Sequence, residues 1–286
     1  MDEDDRSYAW MLLPAIATIS VLFSAYALFG WASFFHRDPS GLGFGGDATL
    51  DNYIRILGSW SELAIVGQTL WISLVLTVVT IVIAIPMAIV IARSHSRFVR
   101  SFLLLALAVT FLSGGVTRAY AWLVLLGTRG LINTLLVGSG LVDQPVRFIF
   151  NWLGVSISLV HFILPFTVFT LVGAVKNLPE SAEEAARNLG ATRTKTFLRV
   201  TLPLLASGIV VAASLTYALA LSSFLFPLLL GGGRVRMVAN YIYERLFVAY
   251  DVPFAAATSV IFLVVSFAMI LCFSGVERLV RKVVFR

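Results

Sequence analysis

Charge is what this 286-residue chain lacks most: 13% of its residues are charged and 59% are hydrophobic. A soluble domain needs roughly a quarter of its residues charged to face water, so a soluble globular fold is excluded. Cysteine is nearly absent too. Cys272 has no intrachain partner, which rules out a disulfide framework and leaves the redox compartment unread. No phosphate-cradling GxxxxGK[ST] loop occurs, because none of Lys176, Lys195 and Lys282 follows a glycine, so the chain has no nucleotide motif of its own. HExxH and GxSxG are missing as well. Nor do short apolar segments alternate as the strands of a membrane barrel would; Ile81 to Ile85 runs apolar without interruption.

What is present is a set of apolar runs near residues 10–35, 63–92, 102–126, 152–175, 203–230 and 254–276. Each reaches the ~20 residues that cross a bilayer core as a helix. With a mean hydropathy of +0.94, they predict an all-α integral membrane protein of about six spans. Residues 1–9 are expected to form a short tail, and 10–286 the membrane domain. The competing reading of the first run, a cleaved leader, fits poorly with the acidic start MDEDDR and with a run longer than a leader's core.

Basic residues near span ends resist translocation and so report orientation. Arg93, Arg97 and Arg100 crowd the short link between spans two and three. Lys176, Arg187, Arg193, Lys195 and Arg199 fill the link between four and five, and Arg278, Arg281, Lys282 and Arg286 follow span six. The alternate links spread Arg37, Arg55, Arg129, Arg147, Arg234, Arg236 and Arg245 over longer segments. Both termini are therefore expected in the cytoplasm. The net charge of +6 reflects topology and contact with anionic lipid rather than nucleic-acid binding. Trp10, Trp31, Trp71 and Trp152 stand near span ends, where aromatic rings anchor at the headgroup level.

One polar insert, residues 179–202, interrupts this pattern on the inner side. Ser181 with Glu184 three residues on has the spacing of a capping box, predicting a helix of about two to three turns from Ser181. Ala182, Ala185 and Ala186 leave one side of it nearly smooth, and Gly190 allows the left-handed backbone that stops it. Thr192 is placed to cap a second short helix before Pro203 opens span five. A small-residue face suits close docking in another protein's groove, with Glu183, Glu184 and Arg187 at the rim. The bland alternative, a helix lying on the membrane, has too little apolar area to bind well.

Glu184-Ala185-Ala186, then Gly190, then Val200, Leu202 and Pro203 resemble the EAA loop of ABC importer permeases, with Val200 in place of the usual isoleucine. Leu50-Asp51-Asn52-Tyr53 is similar to an element of the same superfamily. Arg118 to Trp122, Gly130 to Asn133, Phe226-Pro227, Gly231-Gly232, Asn240 to Tyr243 and Pro253-Phe254 resemble the PotB-like branch, which serves polyamines and related solutes.

This resemblance implies the type I importer permease fold in a bacterial inner membrane. It implies an ATPase-coupling role for Glu183, Glu184, Ala185, Ala186, Arg187, Gly190 and Pro203. It also implies a second, similar permease subunit, two cytoplasmic ATPases that hold the ATP and magnesium, and an external solute-binding protein. The chain itself would bind no cofactor and would not be an enzyme.

The substrate path is expected near Arg118, the basic residue that falls inside a span, with Tyr120, Trp122, Tyr217, Ser223 and Phe224 as further candidates. Intramembrane arginines either face a pathway or tie helices together, and both readings stand for Arg118. For the span-five residues ordinary helix packing is the rival reading. Polyamine permeases often carry an acid just before the span-five phenylalanine; here the residues are Ser222-Ser223-Phe224. A polycation needs carboxylates or aromatic faces in place of its water, whereas an amino-acid-like, opine-like or phosphonate solute would suit Arg118. An ion-coupled secondary transporter would need intramembrane acids that no span contains, although Pro86 and Pro165 could break helices. An intramembrane enzyme would have to use His161 with Ser156 or Ser158, without any supporting motif.

Overall fold

The computed structural model describes residues 3–38 and 43–284. Arg286, and the side chains of Trp10 and Arg281, lie outside what is described. The chain runs through α1 (Glu3–Ala32), a two-residue hairpin of β1 (His36–Arg37) and β2 (Phe44–Gly45), α2 (Asp51–Leu57), α3 (Trp60–Arg93), α4 (Arg97–Leu112), α5 (Gly115–Leu125), α6 (Leu131–Gly138) and α7 (Trp152–Lys176). It continues with α8 (Glu180–Asn188), α9 (Arg193–Thr196), a π-turn at Phe197–Thr201, α10 (Leu202–Leu221), α11 (Leu225–Gly231), α12 (Val238–Tyr243), a second π-turn at Glu244–Val248 and α13 (Val252–Val284). Among the described residues five helices are long and apolar enough to cross a membrane, or six spans if the bent pair α4–α5 counts as one.

Several sequence expectations change. The acidic start is helical from Glu3, at the head of a helix whose candidate span is Leu13–Ala32. The third run is not one rod: α4 and α5 meet at 105°, since Ser113 and Gly114 leave the helical region (ψ 131° and 145°). The fifth run ends at Leu221, and α11 follows a break at Ser222–Phe224. Hydropathy could not see either break, because the residues at both remain mostly apolar or small.

Ser181 is not the cap of α8. Pro179 occupies the N-cap position at φ −66°, with no side-chain cap, and the helix starts at Glu180. Proline is pre-set for that entry, and Glu180 is held there by an ion pair with Arg93. Thr192 does cap α9, accepting from Lys195 N at 3.4 Å. That second helix, however, is continuous with span five: α9, the π-turn and α10 form one apolar run, Arg193–Leu221. Pro203 supplies no N–H to the carbonyl one turn back and its ring crowds that carbonyl; the wider π-turn just before it accommodates the mismatch.

The chain divides into two compact units, one comprising the residues up to Ala64 with Tyr241–Val264, the other Ile65–Asn240 with the residues from Val265 onward. In the larger unit α7 is the central helix. Near its start, Val155 and Leu159 join Leu76, Ala119, Leu126, Phe226 and Leu230 in one apolar core. Near its end, Val168, Leu171 and Val172 join Ile81, Ala84, Ala88, Leu107 and Ala212 in another. Helix α10 lies close along α7: a Cβ added at Gly208 would sit 2.5 Å from Ala174 Cβ, so only glycine permits that approach.

In the smaller unit, Asn52 donates to the carbonyls of Ser33 (3.0 Å) and Phe35 (2.9 Å), and the Tyr53 and Ser33 hydroxyls are 2.6 Å apart. The Leu50–Tyr53 element is thus a clasp on the end of α1. Nearby, Arg245 donates to Tyr241 Oη at 2.7 Å and to Glu62 at 3.3 Å, and its guanidinium stacks over the Tyr241 and Phe254 rings. Burial, reinforced by Glu62 and opposed by Arg245, pushes the Tyr241 phenol up to about 12.

Candidate functional site

Helix α8 buries none of its residues. Glu184, Ala185, Arg187 and Asn188 are exposed, and Leu189 is 89% exposed at its end. Gly190 then takes φ +85° with nothing within 4 Å of a would-be Cβ, so its requirement is one of backbone hand, not of space. The opposite side of α8 is tied down. Glu183 Oε1 accepts from Thr201 Oγ1 at 3.2 Å and lies 3.9 Å from Arg93, so its carboxylate is turned inward, whereas Glu184 and Arg187, which border the hollow on that side, are exposed. Ala186 is half-buried on that same inner side.

The inner side closes a cavity of about 490 Å³ lined by Arg93, His95, Glu180, Glu183, Arg193 and Thr196, among others. Arg93, at the end of α3, pairs with Glu180 and donates to the carbonyls of Leu178 (3.0 Å) and Val175 (3.4 Å). From sequence Arg93 stood out only as a topogenic charge, and Glu180 and Thr201 carried no reading at all. The signal was spatial, since Arg93 and Glu180 are 87 residues apart in the chain.

Of the intramembrane candidates, Arg118 and Trp122 share one face of α5 and meet successive residues of α7. The Arg118 guanidinium lies 4.5 Å over the Phe162 ring and its Nη1 is 3.5 Å from the Phe162 carbonyl. Trp122 Nε1 donates to His161 Nδ1 at 3.1 Å. Arg118 is 8% exposed, and its Nε has no partner among the described residues. Tyr120 points elsewhere and is 54% exposed, so the helix separates it from Arg118.

Phe162 also packs on Phe226 of α11, ring centroids 5.0 Å apart. Ser223 and Phe224 form the break before α11, where Asn240 donates to the Phe224 carbonyl at 3.0 Å. Tyr217 does not belong to this group. It is fully buried, with Oη 3.5 Å from the Leu70 carbonyl and its ring against Phe273, and so serves helix packing.

The same geometry speaks against a hydrolytic role for His161. Its Nδ1 is already taken by the indole, and Ser158 donates within its own helix to Gly154 and Val155. Asn133, in the Gly130–Asn133 stretch, makes three hydrogen bonds, to the Gly127 carbonyl and to both the carbonyl and the N–H of Val146, at 2.8–2.9 Å. Sequence patterns that read as family signatures are here structural clasps. Among the described residues no group of His, Cys, Asp and Glu is placed to hold a metal.

Comparison with known proteins places these features in context. Residues 69–283 match the family described as binding-protein-dependent transport system inner membrane component. The chain is 34% identical over 234 residues to the spermidine/putrescine transport system permease protein PotB of Escherichia coli (strain K12), covering 82% of this chain and 84% of that protein. It is 32% identical over 232 residues to the PotB of Haemophilus influenzae, with 80% and 79% covered. Among solved structures, a chain of the bacterial alginate ABC transporter in complex with alginate pentasaccharide-bound periplasmic protein superposes with a TM-score of 0.82. That match covers 98% of this chain and 96% of the other at 20% identity, a likeness of fold.

Proposed function

The chain belongs to the binding-protein-dependent transport system inner membrane component family, and from that membership we propose that it forms half of the translocation pathway of an ATP-driven importer of polyamines, spermidine or putrescine. The family is one of multi-pass ABC-transporter permeases with the type I importer fold. The observation that carries the polyamine reading is the 34% identity to PotB sustained over 82% of the chain. In this reading a second, similar permease completes the pore, an external binding protein delivers the solute, and two cytoplasmic ATPases hold the ATP and magnesium. Both termini face the cytoplasm of a bacterial inner membrane. The exposed side of α8, with Glu184, Ala185 and Arg187, docks in the ATPase, and Gly190 ends the docking helix.

Nucleotide drives transport only by binding one of two pore states better than the other. Docked α8 helices follow the closing ATPases, and the helices packed on α7 pass the motion to the pathway.

A second reading has its own observation. The six apolar runs read from sequence contain no carboxylate, while Arg118 is buried with an unspent donor, an arrangement complementary to an anionic amino-acid-like, opine-like or phosphonate solute. Labelled spermidine, putrescine and a phosphonate offered to the co-encoded binding protein, and then to the reconstituted importer, decide between the two. Retention and ATP-dependent uptake of the polyamines are expected; retention of the phosphonate alone would transfer the assignment to the second reading.

A further inference from the structure

We propose that Arg93 is a positioning residue that clamps α8 to the membrane-crossing helix α3, so that a displacement of α8 reaches α3 instead of being absorbed in the turns on either side. The proposal rests on the reading of α8 as the ATPase-docking helix and asks how its movement enters the membrane.

The need for a clamp follows from α8 itself. With no buried residue, it has little apolar packing to fix its position. It is joined on one side through Leu178 and Pro179 and on the other through Gly190 in a left-handed conformation. A helix so mounted would swing on its connections when pulled. Polar contacts on its inner side have to supply the stiffness.

Arg93 supplies them from one planar group. Its Nη2 donates to the Leu178 carbonyl in the link after α7, and to the Val175 carbonyl in the last turn of α7, which also accepts from Leu178 N at 3.1 Å. Its Nη1 pairs with Glu180 in the first turn of α8, and Glu183, one turn on, lies 3.9 Å from Nη2. Glu183 in turn accepts from Thr201 in the π-turn that leads into α10. One guanidinium therefore joins the ends of α3 and α7 to α8, and through Glu183 reaches the entry of α10.

The arms are unequal. The side chains of Arg93 and Glu183 are 19% and 20% exposed, whereas Glu180 is 71% exposed, so solvent screens the Glu180 arm more. A purely topogenic arginine would have no reason to collect these partners; Arg97 and Arg100, which serve the same orientation rule, are exposed. Arg93 Nε and Thr196 Oγ1 are buried without a partner among the described residues, and both residues line the cavity behind α8. Lysine, a single point charge, cannot hold two carbonyls and a carboxylate in one plane.

The test uses the complete importer, reconstituted in nanodiscs with this chain in a Cys272→Ser background. Spin labels at Leu189→Cys beside α8 and Val78→Cys on α3, both on exposed positions, report their separation by pulsed EPR without nucleotide and after vanadate trapping. This readout needs no solute. In a parallel sample a photo-crosslinker at Ala185→Cys reports docking. With Arg93 present, the label distance is expected to be single and unshifted by trapping. With Arg93→Met it broadens and shifts on trapping, and with Arg93→Lys the broadening is intermediate, while the crosslink to the ATPase persists in all three.

Identical distributions with Arg93 and Arg93→Met, crosslink intact, would overturn the clamp and leave docking standing. Failure of the Ala185→Cys crosslinker to reach the ATPase with Arg93 present would overturn the docking reading and the clamp with it. If Arg93→Met does not assemble, the double variant Glu180→Ala with Glu183→Ala removes both carboxylates that Arg93 holds on α8, and an unchanged distribution there overturns the proposal.

Discussion

Thr167 on α7 and Thr216 on α10 are joined by a buried hydrogen bond of 2.8 Å. Thr216 Oγ1 is 2.7 Å from the carbonyl of Ala212, while Thr167 Oγ1 is 3.3 Å from that of Ile163. These distances assign the direction: Thr216 donates within its own helix and Thr167 donates across. Thr216→Val should therefore cost about 0.6 kcal/mol, the usual worth of an interhelical bond in a membrane protein. Gly208→Val, which forces a side chain onto Ala174, should cost about 1–3 kcal/mol. Thermal unfolding of the detergent-purified protein orders the two variants.

Gly190 offers a sharper separation of backbone from packing. Because open space surrounds it, any loss on substitution comes from φ alone. Gly190→Asn, which tolerates the left-handed region, should retain ATPase co-purification and uptake. Gly190→Val should lose both, since a left-handed backbone costs an ordinary residue about 1–2 kcal/mol and a β-branched one more. Equal behaviour of the two variants would refute the role of the turn.

Asn133 is 1% exposed and uses both ends of its amide. Asn133→Leu leaves the Val146 carbonyl and N–H without their partner, while the Gly127 carbonyl keeps the Gly130 N–H at 2.9 Å, at about 1–3 kcal/mol for each group left unsatisfied. The protein should unfold at a clearly lower temperature, whereas polyamine affinity in whatever fraction remains folded should match that of the unsubstituted importer. An affinity change without a stability change would make Asn133 a solute contact instead.

The Tyr241 phenol makes a pH prediction. Its ordinary value is 10.0 and the folded chain raises it to about 12, chiefly through burial. The unfolded chain therefore releases this proton first. The stabilisation is complete below pH 10 and is lost as the pH climbs through about 12. The phenolate absorbance difference between the native protein and Tyr241→Phe should appear only near pH 12; a difference already developed at pH 10 would contradict the buried cluster with Glu62 and Arg245.

Arg118 separates the two solute readings. For a polyamine, Arg118→Met removes a like charge and should leave uptake intact or improve it, with a stability loss from the missing contact over Phe162, about 0.5–2 kcal/mol. For an anionic solute the same variant should abolish uptake. Initial uptake rates of spermidine and a phosphonate, taken with unfolding temperatures, read both effects.

Much of this was legible beforehand. Apolar runs long enough to cross a bilayer located the main helices, because membrane burial acts on each segment separately. The Gly190 turn and the Thr192 cap were equally readable, being set by residues within one turn. Less legible were Ser181, displaced as a cap by Pro179, and the second helix of the insert, which turned out to be the start of span five. Among the pathway candidates, Trp122 joined Arg118 against α7 as the four-residue spacing required, whereas Tyr217 proved to be a packing residue.

The sequence alone determined that the chain is helical and membrane-embedded, that a small-faced helix interrupts it and where that helix stops, since each follows from local composition and backbone preference. Only the tertiary structure decided that α4 and α5 meet at 105°, that Glu183 turns inward and that Arg93 gathers the ends of α3, α7 and α8. A bend at two small residues, Ser113 and Gly114, inside an apolar run leaves no mark on hydropathy. A charge chooses its partners by distance in space, and Arg93 and Glu180 lie 87 residues apart along the chain.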